Sequence, residues 1–362
     1  MSNRLKKIRN SLSNLGVDAF ITGNKANRRY LSGFTGSAGH VIISMDQAAL
    51  ITDFRYLLPA AKEAPDFTIV HNHRDPITAI YEFVRKIGVT KIAIEEEWIS
   101  LAEYKRWKSA FSGIMLVPTS GIVESLRKIK DEDELDKIKK AINITEGAFA
   151  HILGFIQPGV REIDVAVELE TFIRGHGAVF AFETIVASGT RGALPHGSAT
   201  SKCIEAGEMV TLDFGVFFEG YCSDLTRTIA VGEPSEQMRE IYEVVRLAQQ
   251  IAIRQLRPGM TAQQLDLFSR EVIEKAGYAE HTHKASGHSI GLDVHEAPII
   301  CTSDVGVIEK GMVLTIEPGI YMKGVGGVRI EDDVLVTDNG CETLTNSPNE
   351  LLILPVGKRS QR

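Results

Sequence analysis

The sequence is poor in cysteine and tryptophan and has no long apolar run. Its 362 residues include four cysteines, which are scattered without a CxxC spacing, and two tryptophans. Such sparse cysteines favour free thiols in a reducing compartment, so we expect a cytoplasmic protein. The basic N-terminal stretch MSNRLKKIRNSLSNLG lacks a signal-peptide core, and no segment reaches the length of a membrane span. We therefore expect no membrane association.

Basic tracts are missing as well. The formal net charge is −7, the hydrophobic content is 44% and the charged content is 24%. This composition is typical of a globular protein, and the charge favours neither nucleic acid nor an anionic membrane as a partner. The length suggests two domains.

Residues 1–125 predict an α/β domain, because short β-branched runs alternate with helical stretches. In the stretch 76–87, Ile77, Ile80, Tyr81 and Val84 share one helical face. We predict strands within 17–22, 40–45, 48–52, 67–70 and 91–95, and helices at 2–15, 55–64, 76–87 and 99–110. The charged segment SGIVESLRKIKDEDELDKIKK then marks a linker that enters a long helix, so a second domain is expected at 126–362.

The second domain contains an internal repeat. IQPGVREIDVAVELETFIRGHGA (156–178) aligns with LRPGMTAQQLDLFSREVIEKAGY (256–278) at an offset of 100 residues. Long helical stretches, 131–156 and 235–256, lead into the two copies. Further along, Asp213 matches Glu317 at an offset of 104, with glycines matching on either side. We predict an α+β domain with pseudo-twofold symmetry, in which each half ends in an acidic hairpin and the hairpins meet near the axis.

Each hairpin carries two acids amid apolar neighbours. A turn at Glu219-Gly220 would place Asp213 diagonal to Asp224, and a turn one residue earlier would place them directly opposite. Either register puts both side chains on one face of the hairpin. Glu317 and Glu331 form the corresponding pair in the second hairpin. Paired carboxylates repel, and one takes up a proton unless a cation lies between them.

The stretch SGHSIGLDVHEAP adds an imidazole, His288, flanked by Gly287 and Ser289. Four carboxylates and one imidazole can hold two divalent ions, and this oxygen-rich set suits manganese, with cobalt, zinc or iron as alternatives. Taken singly, each acid could be a surface or ion-paired residue, and His288 a histidine satisfied by its neighbours. The joint pattern favours a metal centre.

In their order, the motifs ALPHG, VTLDFG, GYCSDLTRT, GHSIGLDVHEAP, LTIEPGIY and GVRIEDDVLV resemble the creatinase/prolidase/methionine aminopeptidase superfamily, the pita-bread metallopeptidases. The segment NRRYLSGFTGSAG is similar to the entry motif of the creatinase-type N-terminal domain. This resemblance spans almost the whole chain. It implies a creatinase-type α/β domain followed by a pita-bread catalytic domain. It also implies the metal ligands Asp213, Asp224, His288, Glu317 and Glu331, with Asp224 and Glu331 bridging.

Three further residues are implied by the same resemblance. His196 in LPHG and His295 in DVHE match histidines that contact the substrate, and Arg329 matches an arginine that braces the site. Their alternatives are structural: a capping histidine, a core histidine, and a surface arginine paired with Asp332 or Asp333.

The resemblance implies hydrolysis of the Xaa-Pro bond in dipeptides or short peptides, as in prolidase or aminopeptidase P, with Glu317 as general base and then acid. A homodimer is also expected. Xaa-Pro members usually have a histidine four residues before the ligand histidine and a glycine just after it. Here those positions hold Lys284 and Ser289, while His281 and His283 lie out of step. Strict proline preference is therefore less firmly implied than hydrolysis.

Two other functions are compatible with the fold. A creatinase-like amidinohydrolase works without metal, and the presence of all five ligand residues argues against it. A non-catalytic interaction module is opposed by the intact site and by the lack of charged tails.

Overall fold

The computed structural model describes residues 3–356, and the chain divides into two compact units between Arg127 and Lys128. The domain limits expected from the sequence, 1–125 and 126–362, differ from this division by two residues and remain a prediction. Within residues 3–356, no helix combines the length and the apolar character needed to cross a bilayer.

The first unit is built on a six-stranded mixed sheet with the order β4-β3-β2-β1-β5-β6. Its elements are α1 (Asn3–Leu15), β1 (Ala19–Thr22), α2 (Lys25–Ser32), β2 (His40–Ser44), β3 (Ala48–Thr52), α3 (Leu57–Glu63), β4 (Thr68–His71), α4 (Pro76–Lys86), β5 (Lys91–Glu95), α5 (Leu101–Ala110), β6 (Met115–Thr119) and α6 (Ile122–Arg127). Every strand and helix predicted for this region is present, and the α/β class is confirmed. The predicted apolar face of α4 packs into the core, with Ile80 and Val84 fully buried.

Sequence reasoning missed α2, β6 and α6. Helix α2 is only 8 residues long and mostly polar, and its start is set by Asn24, whose side chain accepts from two backbone N–H groups. Strand β6 contains Pro118, which weakens a strand prediction. Because β6 is at the sheet edge and pairs only with β5, a proline is tolerated there.

The second unit holds the repeat. Its elements are α7 (Glu132–Leu153), α8 (Glu162–Gly175), β7 (Val179–Phe180), β8 (Ile185–Ser188), β9 (Glu208–Phe214), β10 (Val216–Phe218), β11 (Tyr221–Cys222), β12 (Leu225–Val231), α9 (Glu236–Gln255), α10 (Ala262–Lys275), β13 (Ala285–Ser289), β14 (Glu296–Cys301), β15 (Val313–Ile316), β16 (Gly319–Met322), β17 (Gly326–Arg329), β18 (Asp332–Val336), β19 (Cys341–Thr343) and β20 (Ile353–Leu354). Two larger sheets have the orders β20-β12-β9-β8 and β14-β13-β15-β18-β19.

The two halves repeat in detail, as predicted. Helices α8 and α10 begin and end 100 residues apart, and both are 14 residues long. The Gly159 N–H donates to the carbonyl of Ile204 at 2.8 Å, and the Gly259 N–H donates to that of Ile308 at 2.8 Å. Both glycines have positive φ, +94° and +93°, which explains why the Pro-Gly pairs recur. The α+β domain with pseudo-twofold symmetry is confirmed.

Each half also has its own core. In the first, Phe149 and Leu169 from the helices pack with Leu212 and Ile229 from the sheet. In the second, helical residues such as Leu265 pack with sheet residues that include Leu314 and Val334. Both sheets therefore have a helix-covered face, which leaves the hairpins that carry the acids to meet each other.

The first hairpin adopts one of the two registers that the sequence allows. Its turn is Glu219-Gly220, where both residues have positive φ, and Asp213 lies opposite Thr226. Asp213 is therefore diagonal to Asp224. In the second hairpin, the pairs Ile316–Asp332 and Gly319–Arg329 keep one register across the gap between β15 and β16, which sets Glu317 opposite Glu331.

The two acidic hairpins contact each other directly. The backbone N–H of Glu331 donates to the carbonyl of Thr226 at 3.1 Å, and the N–H of Asp224 donates to Asp333 Oδ2 at 3.1 Å. The hydroxyl of Thr226 also donates to Glu331 Oε2 at 2.7 Å. The prediction that the acids of both halves converge is confirmed.

Candidate metal centre

One cavity of about 530 Å³ holds every side chain to which the sequence assigned a site role. These residues are His196, Asp213, Asp224, His288, His295, Glu317, Arg329 and Glu331. They come from both halves of the repeat, so the cavity exists only because the two hairpins meet. Phe182, Glu183, His283 and Tyr321 are among the other lining residues.

Three of the predicted ligands form a group of cation-binding size. Ligand atoms of Asp224, His288 and Glu331 lie within 4.8 Å of one another. Their residues are 5%, 5% and 1% exposed. His288 Nδ1 lies 3.1 Å from the carbonyl of Ser289, which holds the proton on Nδ1 and leaves the Nε2 lone pair available to a cation among the acids. Nε2 is 3.8 Å from Asp224 Oδ2 and 3.4 Å from Glu317 Oε1.

The charge balance of this group fits a divalent cation. Asp224 Oδ1 and Glu331 Oε1 are buried and make no hydrogen bond to any described residue. Burial, reinforced by neighbouring carboxylates, raises the pKa of Asp224 and of Glu331 well above their usual values. Without a cation these acids keep protons, because leaving them ionised in a buried site is costly. Carboxylate oxygens and one imidazole are ligands that suit intermediate divalent ions.

Asp213 lies outside the group of three, because Arg329 engages it. Arg329 Nη2 donates to Asp213 Oδ2, and its Nε is 3.9 Å from Glu317 Oε2. Its Nη1 donates to the Tyr321 hydroxyl at 2.7 Å and to the Pro195 carbonyl at 3.0 Å. The buried guanidinium therefore balances part of the negative charge of both acids and fixes the direction of Asp213, while its Nε donates to the Thr226 hydroxyl at 3.1 Å.

The structural alternative for Arg329, a surface arginine paired with Asp332 or Asp333, is wrong. Arg329 is 5% exposed, and Asp332 instead binds Arg227 Nη2 at 2.6 Å. One oxygen of Asp333 accepts the backbone N–H of Asp224, and burial raises the pKa of Asp333 to about 8.

His196 and His295 both line the cavity and are both exposed, so neither is a core histidine. The ring of His295 packs edge-on against that of His288, with 4.4 Å between centroids and 70° between planes. Partial desolvation, together with the nearby His288, lowers the pKa of His295. His295 is therefore neutral at pH 7 and can donate one N–H into the cavity.

Tyr321 and Glu162 are site-building residues that the sequence reasoning missed. Tyr321 follows Glu317 by four residues along an extended chain, so the period of two could have placed both on one face. Glu162 is the first residue of α8 and is fully buried. The sequence indicates the role of Glu162 less clearly than that of Tyr321, because an acid in the first turn of a helix is common.

Glu162 ties down the loop that carries His196. Its carboxylate accepts from the backbone N–H of Ser188 at 2.8 Å and of Thr200 at 3.1 Å, and also from both hydroxyls. Arg191 Nε completes the set at 2.9 Å. Both ends of the segment 188–200 are thus held by one side chain.

We predict that Glu162→Gln destabilises this unit. The amide keeps the shape but loses one accepting oxygen and the charge, and hydrogen bonds to charged groups contribute about 1.5–3 kcal/mol. The free energy of unfolding should fall by about 2 kcal/mol in chemical denaturation. Glu168→Gln is the matched control, since that glutamate also lies on α8 but is partly exposed and pairs with His151 at the surface. Equal stability of the two variants would contradict the anchoring role.

We also predict that the metal-free protein loses stability as pH rises. Burial raises the pKa of Glu317 to about 6 and that of Asp333 to about 8. An acid whose folded pKa exceeds its unfolded value stabilises the fold below the unfolded pKa, and this contribution is lost as pH rises through the folded pKa. The free energy of unfolding of metal-free protein should therefore fall from about pH 4 to about pH 8.

Divalent ions should reverse this trend. A cation that binds the ionised carboxylates stabilises the folded state by mass action, and more so where protons no longer compete. Calorimetry should show that the melting temperature difference between manganese-loaded and metal-free protein grows between about pH 5 and pH 8. A difference independent of pH would show that these acids do not bind the ion.

Comparisons with known proteins agree with this geometry. The profile of metallopeptidase family M24 matches residues 136–338, more than half of the chain. The creatinase/prolidase N-terminal domain profile matches residues 4–129.

Several relatives match over nearly their full length. An Xaa-Pro dipeptidase of Pyrococcus furiosus is 38% identical, over 97% of this chain and 100% of the relative. The solved structure of an Xaa-Pro dipeptidase from Bacillus anthracis superposes with a TM-score of 0.95 at 45% identity, covering 97% of this chain and 99% of that one. An X-Pro aminopeptidase from Thermotoga maritima gives a TM-score of 0.89 at 40% identity, covering 95% and 99%.

Proposed function

Because the chain belongs to metallopeptidase family M24 and has the pita-bread fold with a creatinase/prolidase N-terminal domain, we propose that it hydrolyses Xaa-Pro bonds in dipeptides or short peptides. It acts as an Xaa-Pro dipeptidase or an Xaa-Pro aminopeptidase, the activities for which its relatives are named. The observation that carries the proposal is one cavity, in which buried acids of both hairpins lie together with four histidines and an arginine.

Two divalent ions, most readily manganese, are held by Asp213, Asp224, His288, Glu317 and Glu331 in this proposal. Four ionised carboxylates and two divalent ions cancel in charge, which is what a buried centre requires. Such ions, when bound, supply Lewis acidity toward a carbonyl oxygen and lower the pKa of a water molecule.

The side chains of the chain itself supply proton transfer and orientation. A carboxylate oxygen of Glu317 accepts the proton of the attacking water and returns it to the proline nitrogen of the product. Without metal, burial raises the pKa of Glu317 to about 6. An N–H of His196 or His295 donates to the oxygen of the scissile carbonyl as negative charge develops there. Arg329 fixes the direction of Asp213 and places a positive charge beside Glu317.

The bond before proline is a tertiary amide, so its nitrogen must gain a proton to leave. A buried carboxyl group such as Glu317, in reach of the reacting atoms, meets this requirement better than bulk water. A cavity of about 530 Å³ is also within the range of small-ligand sites and suits a short peptide.

The protein works in the cytoplasm as a homodimer in this proposal. Its four cysteines are free, as expected for a reducing compartment. Light scattering should give twice the chain mass of 39.8 kDa, and a monomer at all concentrations would remove the dimer.

A substrate panel tests the activity. Metal-free protein is supplied with manganese, cobalt or zinc and assayed on Ala-Pro, Ala-Pro-Ala, Ala-Ala and creatine. We expect cleavage of Ala-Pro only with metal, and tripeptide cleavage then separates an aminopeptidase from a dipeptidase. Metal-independent turnover of creatine would support an amidinohydrolase instead. Tight metal binding with no hydrolysis of any peptide would support a binding module.

A further inference from the structure

The segment before the ligand histidine contains a β-bulge. Between β13 and β14, Ala285 pairs with Cys301 and His288 pairs with Ile299. Three steps along β13 thus correspond to two steps along β14, so β13 carries one extra residue. Gly287 makes the bulge possible, because a Cβ there would lie 2.1 Å from the carbonyl oxygen of Thr315.

The bulge decides which residue upstream of His288 reaches the cavity. An extra residue inverts the alternation of side chains, so a residue five positions before His288, rather than four, lies on its face. His283 lines the cavity accordingly, and Lys284 is absent from the described lining. Ser286 points the other way and donates to Asp266 Oδ1 at 2.7 Å. His283 thus lines the cavity although its spacing from His288 is out of step with the family motif.

The backbone around His283 is held in place. Arg270 Nη2 donates to the carbonyl of His283 at 3.4 Å and to that of Lys284 at 3.2 Å. Buried Asp266 orients that arginine by accepting from its Nε at 2.9 Å. Thr282 forms an isolated bridge with Ile320 of β16. Although exposed, His283 is therefore presented to the cavity by an anchored segment.

The imidazole of His283 can donate into the cavity. The backbone N–H of Ala285 donates to its Nδ1 at 3.4 Å, so the neutral ring carries its proton on Nε2. The ring stands perpendicular to that of His196, with 6.2 Å between centroids. His295, by contrast, packs against the ligand His288. The ring contacts thus place His283 beside His196 and His295 beside the ligand histidine.

A dipeptide brings a second charged group that needs a partner. Its C-terminal carboxylate lies one residue beyond the scissile bond, a step of about 3.8 Å between α-carbons. Among the described residues that line the cavity, Arg329 is the only arginine and there is no lysine. Arg329 is already engaged by Asp213, Tyr321 and the Pro195 carbonyl. Apart from Arg329, the imidazoles are the only side chains in the described lining that can both donate a hydrogen bond and carry a positive charge.

We propose that His283 is a specificity-determining residue that donates from Nε2 to the C-terminal carboxylate of the Xaa-Pro dipeptide. This rests on the proposed function. It makes the protein favour substrates that end at the proline, because extending the peptide or amidating it removes the negative charge that His283 binds. Lys284 has no part in this recognition.

The test compares His283→Ala with two neighbours, His281→Ala and Lys284→Ala, neither of which lines the cavity. For manganese-loaded enzyme, we expect His283→Ala to raise the KM for Ala-Pro by about 10- to 100-fold, the effect of one charge-assisted hydrogen bond. The KM for Ala-prolinamide should change by less than about 2-fold, because the amide accepts only a neutral hydrogen bond. His283→Gln keeps an N–H donor and should recover part of the loss.

A binding measurement separates this inference from the proposed function. By calorimetry, L-proline should bind the wild type, Lys284→Ala and His281→Ala alike and bind His283→Ala at least about 10-fold more weakly, while L-prolinamide should not discriminate. Equal losses for the acid and the amide, or no loss in His283→Ala, would overturn the role of His283, and so would a wild type that does not bind proline. If proline binding depends on His283 but no Xaa-Pro substrate is hydrolysed, the proposed function is defeated and the role of His283 is retained.

Discussion

Asp224→Asn should abolish divalent-metal-dependent cleavage of Xaa-Pro substrates. Asp224 belongs to the group with His288 and Glu331, and one of its oxygens has no hydrogen-bond partner among the described residues. Asparagine keeps the shape but offers no negative charge. Loss of a residue that only supports a ligand costs about 10- to 100-fold, so loss of a ligand should exceed that range.

A stability measurement shows whether this loss has the stated cause. Without metal, Asp224→Asn should be at least as stable as the wild type near pH 7, because a buried acid with a raised pKa has been removed. Added manganese should raise the melting temperature of the wild type and leave that of the variant unchanged. Asp338→Asn, in an exposed surface pair with Lys310, serves as control. Undiminished turnover by Asp224→Asn would defeat the assignment.

Arg329→Met should cause the second large effect, on both stability and activity. Arg329 is buried between Asp213 and Glu317. Burial alone would lower its pKa, but Tyr321 and the two acids hold that pKa well above the usual value. Removing one partner from a buried ion pair costs about 3–5 kcal/mol, because the remaining charge is left uncompensated. We expect the metal-free variant to lose that much free energy of unfolding, as measured in denaturant.

Metal should offset part of this loss, since divalent ions also neutralise Asp213 and Glu317 in the proposed centre. Activity should still fall by about 10- to 100-fold, as for other residues that orient metal ligands. Arg329→Lys keeps the charge without the planar fork and should be intermediate. Arg174→Met, which breaks a surface pair with Glu170, is the control. A variant as stable and as active as that control would contradict the bracing role.

The internal repeat was predictable because the residues that reveal it are required by the local backbone conformation. Positive φ at Gly159 and Gly259 requires glycine, so the Pro-Gly pairs that revealed the repeat reflect a backbone need. Side-chain period likewise placed Asp213 and Asp224 on one face before the register was known. Convergence of the hairpins followed from the repeat itself.

Other features depend on partners that a single sequence does not reveal. The extra residue in β13 is defined only by its pairing with β14. The spacing from His283 to His288 therefore could not show, from sequence alone, that both side chains lie on the same face of the strand. The bond from Arg329 to Asp213 crosses 116 residues, and that from Glu162 to Thr200 crosses 38. Such contacts are fixed by packing of whole elements, which composition and periodicity do not encode.

The neutralisation of these buried acids by divalent cations is tested most directly by anomalous diffraction from crystals grown with manganese. We expect two anomalous peaks inside the cavity, within coordination distance of Asp213, Asp224, His288, Glu317 and Glu331. Absence of anomalous density, with those five side chains turned away from one another, would contradict the account.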